Sequence, residues 1–373
     1  MRIIKRKSVA LIAALLSLCL VLPVACWWEQ SEIVVLPPED PTSVPTSTLV
    51  SETDSPAPAT PTPVPDTPAP APETPTSAPN TPTAPATPIP STFLFGGAEL
   101  PTGITEIDTS TVGANGVKVV GERSDIKHIT REEVKVLVNL CPNIRKLDLD
   151  YCYLDDYAPL AKLTELTSLS LMTCGNQEDG VKLTNIDWIA SLTNLRQLNL
   201  CHNAIDDISA IAGLDQLEYL NLADNDLRDE QLKYLTGLYK LRELDLYQLP
   251  KLTDVSPLAK LSALEYLHLG QDHSIETVKP LTGLDNLRKL RLNDTAVEDI
   301  GYIGDFTALR YLDLSKCSRN ASAYYALKDC KKLKAVTISD ATEDVKNVFY
   351  DLSPIELWAK WNDSSSRLVP PKH

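Results

Sequence analysis

Apolar residues along most of the chain follow a mixed rhythm. In LTNLRQLNLCHNAIDDISAIAGL, residues 192–214, they stand at Leu195, Leu198, Leu200, Ile205, Ile208, Ile211 and Leu214. No single period fits. Leu198 and Leu200 alternate with Gln197, Asn199 and Cys201, which predicts a short strand with one face inward. Ile205, Ile208 and Ile211 recur about every three residues, which predicts a short 3-10 or α turn. Asn203 stands between the two. Its side-chain amide can satisfy backbone groups that a turn leaves unpaired.

The pattern then returns. LEYLNLADNDL repeats LRQLNLCHNAI position by position, 22 residues on. Leading residues stand at Ile144, Leu166, Leu195, Leu217, Leu241, Leu264, Leu287, Leu309 and Leu333, spaced 22, 29, 22, 24, 23, 23, 22 and 24. Self-similarity at this period with L-x-x-L-x-L-x-x-N/C is the leucine-rich repeat signature. One repeat cannot bury its own leucines, but a stack can. The expected fold is therefore an α/β solenoid, with a curved parallel sheet on the concave side and short 3-10 or α segments on the convex side. Pro159, Pro257 and Pro280 share one register, where a helical turn begins and a missing N–H does no harm. The 29-residue repeat carries GNQEDGVKLTN after Cys174. This polar stretch reads as an edge loop, either functional or neutral.

An open solenoid exposes its core, so both ends need caps. Thr130 and Glu133 fit a capping box, and Val134, Leu137 and Val138 form one apolar face. They predict a helix from about Arg131 to Leu140, ended by Pro142. ITEIDTST upstream reads as a degenerate first strand. After the last repeat, Phe349, Leu352, Trp358 and Trp361 are candidates to cover the core. The domains expected are a leader over residues 1–25, a linker or stalk over 26–92, an N-terminal cap over 93–143, repeats over 144–352, and a C-terminal cap and tail over 353–373.

The leader, MRIIKRKSVALIAALLSLCLVLPVAC, has four basic residues, an apolar run, then a small residue before Cys26. This order resembles a bacterial export signal. PVAC is similar to a lipobox, although Pro23 stands where that pattern favours Leu. A lipidated Cys26 is the reading preferred; an uncleaved membrane anchor and simple secretion are the alternatives. Between Pro37 and Pro90 lie 18 of the 28 prolines. Such a disordered Pro/Thr-rich segment forms no core and favours polyproline II. Fully extended it would reach roughly 170 Å at about 3.1 Å per residue. A stalk and a plain linker are both consistent with it.

The whole chain carries 50 acidic and 35 basic residues, a net charge of −15. Residues 118–373 alone hold 39 acidic and 31 basic residues, or −8. No basic stripe for nucleic acid appears, only the cluster Arg288, Lys289 and Arg291. Cys152, Cys174 and Cys317 stand where other repeats carry Asn203 and Asn225, and Cys141 and Cys330 stand at core positions. Buried thiols are the expectation, with a Cys152–Cys174 disulfide as the alternative. No nucleophile elbow, phosphate loop or zinc spacing occurs, so neither an enzyme nor a cofactor or metal is expected. His268, Asp272 and His273 read as solvated side chains rather than a metal site.

Strand residues that alternate with the core leucines face the concave side in columns. One runs Lys146, Ser168, Gln197, Tyr219, Glu243, Tyr266, Lys289, Tyr311, Ala335. The next runs Asp148, Ser170, Asn199, Asn221, Asp245, His268, Arg291, Asp313, Thr337. The third includes Met172, Cys201, Ala223, Tyr247, Gly270, Asn293 and Ser315. With strands about 4.8 Å apart, Tyr219, Tyr247, Tyr266, His268, Lys289, Arg291, Tyr311 and Asp313 are the candidate binding residues. Tyrosine and arginine are common interface anchors, although tyrosine also simply suits strands.

LTNLRQLNLCHNAIDDISAIAGL and LYKLRELDLYQLPKLTDVSPLAKL resemble the 22-residue repeats of the internalin family of bacterial surface proteins. The resemblance covers about residues 144–352. It implies a concave face that holds a protein partner. About 20 residues follow the repeats, too few for the immunoglobulin-like domain usual in that family, and no L-P-x-T-G motif appears. The expected protein is thus an exported, envelope-anchored, non-catalytic binder of a protein, or of a surface glycan. A structural envelope protein or accessory subunit without a dedicated ligand is the alternative.

The leader generates a first prediction. Metabolic labelling with a fatty-acid analogue is expected to mark the wild-type chain and not Cys26→Ala. Equal labelling of both would refute lipidation.

Overall fold

The computed structural model describes residues 89–96, 98–107, 127–176, 181–317, 320–339, 342–352, 354–361 and 364–368. The leader, Cys26 and all but the end of the proline-rich segment lie outside them.

Within the unit Ile89–His373, the repeat strands lie side by side in chain order in a 12-stranded sheet. Every neighbouring pair in it is parallel except the last. The fold is the leucine-rich repeat solenoid expected. Gln197 pairs with Tyr219, Tyr219 with Glu243, Glu243 with Tyr266 and Tyr266 with Lys289, so the first column forms as read. Leu198, Leu200, Ile205, Ile208 and Ile211 are all fully buried, as are their counterparts in repeats four to six.

The return path is made of short 3-10 turns, such as Ala158–Lys162, Ser256–Lys260 and Lys279–Leu281, each with its proline at the first or second position. Aspartates start several of them. Asp156, Asp207, Asp254 and Asp299 each accept the backbone N–H two residues on. A short carboxylate is well suited to that local bond.

The turn that leaves each strand is the most constrained part of the repeat. Eight residues there hold positive φ without being glycine: Tyr151, Thr173, His202, Asp224, Gln248, Gln271, Asp294 and Lys316. This backbone costs roughly 1–2 kcal/mol per residue. It lets the N–H reach the next repeat, as when His202 donates to the Ala223 carbonyl at 2.8 Å. The following position lines a buried ladder. Asn203 donates to the carbonyls of Leu171 and Leu200, both at 2.8 Å, and accepts from the Cys174 N–H at 2.9 Å. Cys174 and Cys317 donate their thiols to the carbonyls of Leu149 and Leu292 at 3.3 and 3.0 Å. Cys152 and Cys174 are free thiols.

At the N-terminal end, helix α1 (Arg131–Leu140) has the expected capping box, with Val134, Leu137 and Val138 buried. The degenerate strand is Glu106–Ile107, paired with Lys146–Leu147. A hairpin of Thr92–Phe95 and Ala98–Pro101 adds to this cap without having been foreseen. Its Phe95 and Leu100 are fully buried, and the Gly96 N–H donates to Glu133 of α1 at 3.1 Å. At the other end, helix α2 (Glu343–Asp351) buries Val345, Val348 and Phe349, with Leu352 beside them. Beyond it the sheet continues through Glu356–Trp361, which contains Trp358 and Trp361, and then Ser364–Leu368. The long second repeat carries a small antiparallel pair, Gly175–Asn176 with Val181–Lys182; its tip, 177–180, lies outside the described residues.

The structure corrects the solvated reading for His268 and Asp272 but not for His273. His273 is exposed, but His268 is 6% exposed and Asp272 0%. Asp272 is the ladder residue of repeat six, counted eight from Leu264 as Asn203 is from Leu195. Its Oδ1 accepts the Leu249 N–H, while its buried Oδ2 has no partner. At the matching place Asn203 and Asn225 present N–H donors to carbonyls. A carboxylate cannot do this; a protonated acid can. Burial accordingly pushes the Asp272 pKa up to about 9.

A folded pKa raised from 3.8 to about 9 makes the group's contribution full below about pH 4 and lost progressively up to about pH 9. Asp272→Asn restores a permanent donor. At neutral pH, roughly three pH units above the ordinary carboxyl value, keeping the proton costs about 1.4 kcal/mol per unit, so the substitution is expected to stabilise the fold by up to about 4 kcal/mol. The gap should widen with pH and level off above about 9. Denaturant midpoints at pH 5, 7 and 9.5 check this; a pH-independent gap would show that the proton is not involved.

Candidate functional site

The parallel register brings the candidate residues of repeats five to eight together and gives them unequal roles. Column three is mostly closed. Met172, Cys201, Ala223 and Ser315 are buried, as is Gly270, so the open face is narrower than the column reading implies. In column two, Asn221, His268 and Asp313 are also buried.

Column two is an internal brace. The side chains of Asp148, Asn199, Asn221, Asp245 and Asp313 each accept the N–H two residues later. This local bond holds the strand exit on each of these five repeats. Asp313 also accepts the Ser315 hydroxyl at 2.7 Å. The signal was present in the sequence as Asp or Asn at every such position.

His268 interrupts the brace and becomes the floor of the site. It bridges Asp245 at 3.2 Å and Asn293 at 3.3 Å. The Tyr247 ring stacks on it with centroids 4.9 Å apart, and Tyr266 stands tilted at 6.4 Å. The Lys289 ammonium lies 5.0 Å from the Tyr266 ring centroid. Arg291 approaches Asp313 at 3.5 Å. Burial, then the neighbouring Arg291 charge, lower the Lys289 pKa. Burial also lowers that of Arg291, but Tyr266 and Asp313 outweigh it and the net shift is upward. Burial raises the Tyr266 phenol to about 12 and pushes that of Tyr219 further up.

Tyr247, His268, Tyr266, Lys289, Arg291 and Asp313 thus form one connected group. His268 and Asp313 lie beneath its surface rather than on it. Tyr219 and Tyr311 share column one but lie outside this chain of contacts. Tyr219 is instead bonded to Asn221.

Above and below the group the face changes character. Arg196, Glu218, Arg242, Glu265 and Arg288 form a charged row at the strand entry, with ion pairs Arg196–Glu218 at 2.8 Å, Arg242–Glu265, and Arg288–Glu265 at 3.2 Å. At the strand exit, His202 pairs with Asp224, and Lys316 with Asp294 at 3.5 Å. Such exposed pairs contribute little to stability, but they frame the aromatic group with fixed charge. Among the described residues, no group of three or more His, Cys, Asp or Glu is placed to hold a metal. None of their helices is long and apolar enough to cross a membrane.

Comparison with known proteins supports the repeat class. The leucine-rich repeat family model matches residues 181–227. Mouse leucine-rich repeat-containing protein 56 is 36% identical over 107 residues, covering 28% of this chain and 18% of its own length. The first curated relatives are thus matched over less than a fifth of their length. Among solved structures, a leucine-rich repeat protein of Leptospira interrogans aligns with TM-score 0.49 at 21% identity, covering 60% of this chain and 62% of that one. The internalin InlF of Listeria monocytogenes aligns with TM-score 0.46 at 20% identity, covering 63% and 81%. Leucine-rich repeat proteins generally mediate protein–protein interaction and are typically non-catalytic scaffolds.

Gly270 tests the floor. A Cβ there would meet the Asn293 side chain at 2.5 Å. That side chain can swing away, so Gly270→Ala is expected to cost no more than about 1.5 kcal/mol. It should nonetheless part Asn293 from His268. Thermal unfolding and the His268 ring resonances check both halves; an unmoved ring signal would show that Asn293 does not hold the imidazole.

Proposed function

We propose that this chain is an envelope-anchored bacterial binding protein, which holds a protein partner on the concave face of its solenoid and performs no catalysis. The carrying observation is the connected group of Tyr247, Tyr266, Lys289 and Arg291 on neighbouring strands, braced from below by His268 and Asp313. Large amphipathic side chains on rigid strands lose little entropy on binding and bury much area. The leader sequence and Cys26 support export and lipid anchoring. The proline-rich segment between anchor and solenoid suits a spacer.

The experiment is affinity capture with the full chain, followed by titration of the purified partner. Truncating a central anchor typically costs about 2 kcal/mol or more. Tyr266→Ala and Arg291→Ala are each expected to weaken binding at least about tenfold. Lys251→Ala is the control. Lys251 lies off the repeat strands, in an exposed ion pair with Asp226 at 2.9 Å, and its loss should leave affinity unchanged. A control that hurts as much as the concave variants would overturn the reading, and capture of glycan in place of protein would redirect it.

A further inference from the structure

Three consecutive strands carry an ordered set of chemistry in columns one and two. Repeat five presents Glu243 and Asp245, repeat six Tyr266 and His268, and repeat seven Lys289 and Arg291, in direct register. Two strand spacings separate the acids from the bases, about 10 Å, and the aromatic pair fills the gap.

Of the two bases, Lys289 is the under-compensated one. Lys289 and Arg291 are two apart on one strand, so their side chains share a face, and both are half-buried. Among the described residues Lys289 makes no ion pair; its ammonium rests over the Tyr266 ring. Arg291 reaches the Tyr266 hydroxyl and Asp313, the latter at 3.5 Å, and the other oxygen of that carboxylate is taken by the N–H and hydroxyl of Ser315. Two like charges withdrawn from water repel each other and each loses hydration. A carboxylate set between them would relieve both costs. On the acid side, Asp245 is engaged by the Tyr247 N–H and by His268, while Glu243 is exposed and available to a cation.

We propose that this face takes an extended segment of a protein partner, which sets one carboxylate on Lys289 and Arg291 and one basic side chain on Glu243, about 10 Å apart. This rests on the concave-face reading and adds polarity to it. The repeats run one way, so for a segment docked in a given chain direction, exchanging acid and base would place like charges together. The surroundings also select against polyanions. The chain carries −15 overall, and Glu243, Asp245 and Asp313 ring the base pair. One carboxylate fits between them; a run of them meets repulsion.

The test is selection of displayed random 12-residue peptides on the full-chain protein. Individual peptides are then titrated by fluorescence polarisation against wild type, Lys289→Glu, Tyr266→Ala and Lys251→Ala, each checked for an unchanged circular dichroism spectrum. The selected peptides are expected to share an acid and a base two or four residues apart, on one face of an extended segment. Each should lose at least tenfold on Lys289→Glu and on Tyr266→Ala, and nothing on Lys251→Ala. Synthetic peptides with acid and base exchanged should bind at least tenfold more weakly, and selection on Lys289→Glu should no longer favour the acid. Peptides that need Tyr266 but ignore Lys289 and show no acid preference would overturn the proposal and leave the concave-face reading standing. Peptides indifferent to Tyr266 as well, or a selection that yields no binder, would overturn both.

Discussion

The structure depends on satisfying backbone groups where each strand ends. A parallel sheet bonds its strands to each other, but the chain must then turn under the sheet without leaving buried carbonyls unpaired. Here one residue accepts left-handed backbone so that its N–H crosses to the next repeat, as at His202 and Asp224. The next residue points a donor inward, as Asn203 and Asn225 do. The leucines supply the driving force, but this two-residue turn sets the direction of the return path. Strand register, the columns and the shape of the concave face all follow from it.

That dependence explains what was legible in the sequence. Leading residues from Ile144 to Leu333 could be located because leucine spacing reports burial directly, and helix α1 because Thr130 and Glu133 form a local cap. The hairpin of Thr92–Phe95 and Ala98–Pro101 was not legible. Two four-residue strands outside the repeat carry too little periodicity, and they borrow stability from α1. Asp272 shows a different failure. Its residue type argues for water, whereas its register position, eight past Leu264, argues for the ladder; position won. The same counting would have flagged it.

For the site, the columns read from sequence are the ones the register forms, yet exposure within them was not legible. A period-two pattern says which face a residue takes, not how deeply its neighbours cover it. His268 and Asp313 belong to the concave face by period and to the interior by burial, because Tyr247 and Tyr266 lie across one and Ser315 holds the other. Column one keeps its long side chains half-buried rather than closed, so the proposed recognition rests on Tyr266 and Lys289, with Arg291 and Tyr247 at their flank.

The ladder also has a mechanical meaning. In a stack where each repeat touches only its neighbours, tension is borne in series, and the array parts at its weakest joint. Asn203 and Asn225 rivet repeats two to four with permanent donors. The Leu249 side chain offers repeat four no bond, and Asp272 accepts the Leu249 N–H but offers a donor only while it holds a proton. The compliant joints therefore lie on either side of repeat five, directly behind Tyr247 and Tyr266. A load pulled through a partner on that face would be applied where the solenoid yields first.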